Sequence, residues 1–162
     1  MAKSRQSAGT PATVALTRAG VVYAVRAYEH DPAADSYGLE AAEALGVEPE
    51  RVFKTLLVDT GSGLAVGVVP VDRQLDLKAI ATALGVKKVA MARPADAERS
   101  SGYVVGGISP VGQKRPLPTV IDSSATAHAT ILVSGGRRGL DIELSPTDLA
   151  KVTKATTAPI AR

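Results

Sequence analysis

Two glycine-rich segments, Gly61-Ser62-Gly63 and Gly135-Gly136-Arg137-Arg138-Gly139, each separate a pair of short apolar runs. Residues 52–58 and 64–71 flank the first, and residues 129–134 and 140–144 flank the second. Connections this short join antiparallel neighbours, because a parallel crossover needs a dozen or more residues. Two hairpins therefore interrupt what would otherwise read as an alternation of strands and helices. The pattern predicts an α+β fold, with a mixed, mainly antiparallel sheet and helices packed outside it.

Helix boundaries are marked by proline at the start and glycine at the end. Thr10-Pro11 reads as an N-cap and first helical residue, with Gly20 closing the helix. Residues 21–28 form a strand that ends at Glu29-His30-Asp31-Pro32, and residues 39–45 form a short helix stopped by Gly46. Asp76 caps a helix through Leu84, residues 88–92 make a short strand, and residues 94–101 are helical from Pro94. A glycine- and proline-rich stretch covers residues 102–118, residues 120–122 are a strand, and Ser145-Pro146 opens the last helix. Ala-Leu-Gly-Val stands at residues 44–47 and 83–86, each time where a helix stops, which is recurrent helix-ending chemistry. Residues 1–9 read as a loose tail and residues 10–162 as one domain.

Composition removes several chemistries. The chain has no cysteine, so it has no disulfide, no thiolate-bound metal and no cysteine nucleophile of its own. A hydrophobic fraction of 45% against 22% charged residues excludes wholesale disorder. The net charge of +3 permits contact with phosphates without demanding it. No apolar run approaches the ~18 residues of a membrane span. The apolar stretch after Lys3 and Arg5 is broken by Thr13, so a cytoplasmic protein without a membrane partner is expected.

Lys54 lies in a period-two strand with Val52, Leu56 and Val58 on its face, and Phe53, Thr55 and Leu57 on the other. It either awaits an anionic ligand on an inner face or guards an exposed edge. Gly106-Gly107-Ile108-Ser109-Pro110, followed by Gly112-Gln113-Lys114-Arg115, is either a backbone cradle for a phosphate or carbonyl or a plain surface loop. It lacks Walker spacing. In the second hairpin, Arg137 and Arg138 read as solvated. Asp141 and Glu143 face away from Leu140, Ile142 and Leu144, and are either exposed or, for Asp141, in one pocket with Lys54. His30 and His128 lack the setting of a serine triad or a zinc motif, and His30 reads as ordering the turn at Asp31-Pro32. The basic residues do not interleave with aromatics, and no helix is basic enough for DNA recognition.

Taken together, Tyr28-Glu29-His30-Asp31-Pro32, Val52-Phe53-Lys54-Thr55-Leu56-Leu57, Gln74-Leu75-Asp76-Leu77-Lys78, the segments from Gly102-Tyr103 through Gly112-Gln113-Lys114, and residues 134–144 resemble the YbaK/EbsC family of aminoacyl-tRNA deacylases. The resemblance runs from about Thr10 to the C-terminus and is strongest to the branch acting on Cys-tRNA(Pro). Relatives that clear alanine from tRNA(Pro), and the insertion domain of some prolyl-tRNA synthetases, share the scaffold. It implies a barrel-like mixed sheet, a trans-editing deacylase for aminoacylated tRNA(Pro), prolyl-tRNA synthetase as a partner, and no cofactor or metal. It also implies that Lys54 anchors the terminal phosphate and ribose, and that the loop of Gly106, Gly107, Ile108 and Ser109 faces the ester carbonyl. Tyr28, Tyr37, Thr55, Ser134 and Asp141 then match pocket positions, with Tyr37 standing where phenylalanine is common. The alternatives are an alanine-specific editing enzyme and a non-catalytic binder of aminoacyl-tRNA or of the synthetase.

Overall fold

A computed structural model of the chain describes residues 9–34 and 36–162. Of the expected tail, residues 1–8 lie outside the described residues. The helices are α1 (Pro11–Arg18), α2 (Tyr37–Leu45), α3 (Leu77–Leu84), α4 (Pro94–Ser101) and α5 (Pro146–Thr153). The strands are β1 (Ala24–Ala27), β2 (Phe53–Asp59), β3 (Leu64–Pro70), β4 (Ala90–Met91), β5 (Thr119–Asp122), β6 (Ile131–Arg137), β7 (Leu140–Leu144) and β8 (Thr156–Ala158).

The helices start where their caps dictate. Side chains of Thr10, Ser36, Asp76 and Ser145 each accept an N–H from the first turn, satisfying donors that the helix itself cannot. Because Ser36 is such a cap, α2 begins at Tyr37, two residues ahead of the expected Leu39. Gly46, Gly85 and Gly102 end their helices in the left-handed conformation.

Both expected hairpins form: β2 pairs with β3 and β6 with β7, each antiparallel. The strands divide into a three-stranded sheet ordered β1-β7-β6 and a five-stranded sheet ordered β4-β2-β3-β5-β8. Antiparallel pairing dominates; among the described residues, the parallel strand pairs are β3–β5 and β5–β8. A bridge between Val52 and Leu132 links the two sheets, and no ladder among the described residues closes them into a ring. β8 and the 3₁₀ turns at Pro49–Arg51 and Ser123–Ala127 have no counterpart in the sequence reading, and β1 is shorter than expected.

Strands β2 and β3 of the five-stranded sheet send apolar side chains into a core on each face. From β2 and β3, Phe53, Leu57, Val66 and Val68 join Ile131, Val133, Ile142 and Leu144 of the other sheet, with Leu16 of α1 and Leu149 of α5, in the main core. From the same two strands, Val58, Ala65 and Val69 pack with Ile80 of α3. Each large apolar side chain so buried contributes roughly 1.5–3 kcal/mol relative to exposure. Among the described residues, no helix is long and apolar enough to cross a membrane.

Candidate active site

The outer side of β2 is only partly covered. β4 reaches Val58 and Asp59, and Val52 bridges to Leu132, so among the described residues no strand pairs with the stretch between them. Val71 donates its N–H to the Val52 carbonyl at 2.8 Å. In the alternating antiparallel ladder this directs the main-chain groups of Lys54 and Leu56 toward β3 and those of Thr55 outward.

A cavity of about 370 Å³ lies beside this open edge, a volume that suits a small ligand. Lys54 and Thr55 of β2, Tyr28 after β1, Tyr37 at the start of α2, Gly106 and Ile108 of the loop after α4, Ser134 of β6 and Asp141 of β7 all line it. Ser134 and Asp141 are register partners across the second hairpin, just before the bulge that reshapes its tip. Ala92 and Ala97 add apolar wall.

The cavity brings one cation and one acid together. Lys54 is half-buried, and that burial lowers its pKa, with Asp72 partly opposing. Asp141 is only 6% exposed, and burial pushes its carboxyl up to about 7, with Arg26 partly opposing. Although Arg26 is the register partner of Asp141, its guanidinium is bonded to Glu143. Thr130, Arg26 and Arg51 hold Glu143 below the usual carboxylate range. Burial, with Asp141 nearby, raises the Tyr28 hydroxyl. Among the described residues, the buried Thr55 Oγ1 has no hydrogen-bond partner, an arrangement that costs about 1–3 kcal/mol until something meets it.

The loop of residues 106–109 is neither the plain surface loop nor the open cradle that its glycines suggested. Gly107 and Ser109 are buried and are not among the residues lining the cavity. Gly107 donates its N–H to Val104 at 2.8 Å, and a Cβ there would stand 2.7 Å from the Arg137 Cα. Ser109 Oγ accepts the Val111 N–H, and its carbonyl accepts from Gln113. Ser109 holds the loop together, and Gly107 packs it against the second hairpin. His30 bonds Glu40 at 2.9 Å, while Glu40 also takes the Asp31 N–H, which orders the turn as expected. Arg138 is exposed but engaged: its guanidinium carbon lies 4.6 Å from the Tyr37 ring centroid. Its partners are distant in sequence, so no local signal marks it.

Lys114 and Arg115 are pinned by their N–H groups to the carbonyls of Ser101 and Ser100, and line a separate groove with Arg99. Among the described residues, no group of three His, Asp or Glu side chains is placed to hold a metal ion.

Residues 31–152 match the family model of the aminoacyl-tRNA editing domain. A protein of Enterococcus faecalis, provisionally named the Cys-tRNA(Pro)/Cys-tRNA(Cys) deacylase EbsC, is 39% identical over 99% of this chain and 98% of its own length. The proline–tRNA ligase of Thermosipho melanesiensis is 33% identical over 73 residues, which are 45% of this chain and 13% of the ligase. A crystal structure described provisionally as a trans-editing enzyme for prolyl-tRNA synthetase superposes with a TM-score of 0.83 at 25% identity, covering 94% of this chain and 95% of that one.

Proposed function

The chain belongs to the aminoacyl-tRNA editing domain family and is an enzyme that cleaves aminoacyl esters, and from that premise we propose that it removes cysteine from mischarged Cys-tRNA(Pro). It acts in trans to prolyl-tRNA synthetase in the cytoplasm, with Cys-tRNA(Cys) as a second substrate. The observation that carries this reading is the placement of Lys54 and Asp141 on the walls of one small cavity. An aminoacylated 3′ end offers the complementary pair, a phosphate for the ammonium and an α-ammonium for the carboxylate. The half-buried Lys54 regains with the phosphate what burial takes from it. Tyr28, Tyr37 and Ile108 supply surface for the adenosine and side chain, and Thr55 and Ser134 supply hydroxyls.

The chain has no cysteine, so in the thiol-assisted cleavage proposed here the thiol is that of the substrate. Its sulfur attacks its own ester carbonyl: a C–S bond forms, the bond from carbonyl carbon to ribose oxygen breaks, and the thiol proton ends on the freed ribose hydroxyl. The products are intact tRNA and a cysteine thiolactone that water opens. Holding sulfur and carbonyl in line contributes up to ~7–11 kcal/mol in well-oriented intramolecular reactions. Gly107 spends its N–H on Val104, so the developing oxyanion falls to the N–H groups of Gly106 and Ile108.

Lys54→Ala tests the assignment. Deacylation of Cys-tRNA(Pro) is expected to fall roughly 100-fold, equivalent to about 3 kcal/mol of transition-state stabilisation. Turnover near that of the wild type would overturn the role of Lys54.

A further inference from the structure

One side chain grips the Val105–Gly106 peptide. Arg138, at the exposed tip of the β6–β7 hairpin, donates from Nε at 3.1 Å and Nη2 at 2.6 Å to the Val105 carbonyl. The same guanidinium stacks on Tyr37 at 4.6 Å, which restrains it from swinging into solvent. Gly106 fits beneath this clasp: its φ is +93, and a Cβ would stand 2.5 Å from Arg138 Nε and 3.0 Å from the Tyr37 ring. The clasp thus ties together three segments remote in sequence, namely the start of α2, the glycine loop and the hairpin tip.

A trans peptide is planar, so a carbonyl and the following N–H point in opposite directions. Tyr37, Val105 and Gly106 line the cavity, whereas Arg138 is not among the lining residues. A carbonyl pinned outward to the guanidinium therefore turns the Gly106 N–H back toward the cavity. We propose that Arg138 is a positioning residue for ester cleavage, fixing the Val105–Gly106 peptide so that the Gly106 N–H meets the oxygen on which charge develops. This rests on the reading of the cavity as the site of ester cleavage. A donor fixed in advance needs no reorganisation as charge forms, which is why its orientation affects rate more than binding. Lysine at this position would keep the charge but lose both the fork and the stack.

Steady-state kinetics of the wild type, Arg138→Ala and Arg138→Lys on Cys-tRNA(Pro) test the proposal, with thermal melts reporting folding. For Arg138→Ala, kcat is expected to fall roughly 10- to 100-fold while KM stays within about twofold. Millimolar guanidinium ion is expected to restore part of the lost kcat, and Arg138→Lys to recover little. Unchanged kcat, or a loss lying wholly in KM, would overturn the positioning role and leave the deacylase reading standing. If Arg138→Ala fails to fold, Arg138→Lys decides alone, and a kcat within about twofold of the wild type overturns the proposal. A wild-type protein inactive on this ester would instead overturn the substrate reading, and this inference with it.

Discussion

The β2–β3 and β6–β7 hairpins have similar sequences, apolar strands around glycine-rich tips, yet their tips have different surroundings. At the β2–β3 tip, a Cβ on Gly61 or Gly63 would meet nothing within 4 Å. At the β6–β7 tip, a Cβ on Gly136 would stand 2.9 Å from Tyr103, and one on Gly139 would stand 2.9 Å from the Tyr28 carbonyl. Glycine permits a turn in the first case and close packing in the second. The first hairpin contributes its strand edge to the cavity through Lys54 and Thr55, while its tip stays in solvent. The second contributes strand residues, Ser134 and Asp141, and also uses its tip, which grips the glycine loop and Tyr37.

The largest effect that would sharpen this contrast concerns Asp141. Its carboxyl ionises near 3.8 ordinarily and about 7 in the folded chain. Below the lower value both states hold the proton, and this group adds no pH-dependent cost. Between the two values the folded state keeps a proton that the unfolded state has lost, so stability falls as pH rises, and above about 7 the loss is complete. Asp141→Asn removes that slope. Its stability relative to the wild type, from urea unfolding, is expected to rise by roughly 2–3 kcal/mol between about pH 5 and pH 8. A pH-independent difference would place the carboxyl in water.

Gly107→Ala attacks the docking of the second tip directly. Its methyl group would collide with the Arg137 backbone, and a loss of about 1–3 kcal/mol is expected. Deacylation is expected to fall with it, because the loop can shift only by releasing the hairpin. The smallest effect belongs to the first tip. Gly61 has a φ of +91 with open space around it, so Gly61→Ala is expected to cost about 1 kcal/mol of backbone strain and leave turnover unchanged. Equal damage to activity from Gly61→Ala and Gly107→Ala would erase the distinction between the tips.

How much of this was legible in the sequence follows from which forces are local. Caps at Thr10, Asp76 and Ser145, and glycine stops at Gly46 and Gly85, act within one turn, so those helices could be read directly. Strand alternation placed Phe53 and Leu57 on one face of β2, and Leu56 and Val58 on the other, as the two cores bear out. By contrast, β8 joins β5 in parallel through a pairing that leaves no mark in its own residues. Lys54 was open between a ligand-facing and an edge role because spacing cannot show a strand's neighbours: β2 lies between β4 and β3, and half-buried Lys54 borders the cavity. The double glycine was open between a ligand cradle and a plain surface loop, whereas Gly107 packs against a hairpin tip that sequence spacing could not bring to it. Arg138 was hidden for the same reason.

The central claim, that this cavity clears cysteine from tRNA(Pro) by using the thiol of the substrate, is tested most directly by side-by-side deacylation of tRNA(Pro) charged with cysteine, alanine, serine and proline. Fast loss of cysteine is expected, with the serine ester far slower because a hydroxyl is the weaker nucleophile. Equal rates on the cysteine and serine esters would contradict the account and indicate an activated water.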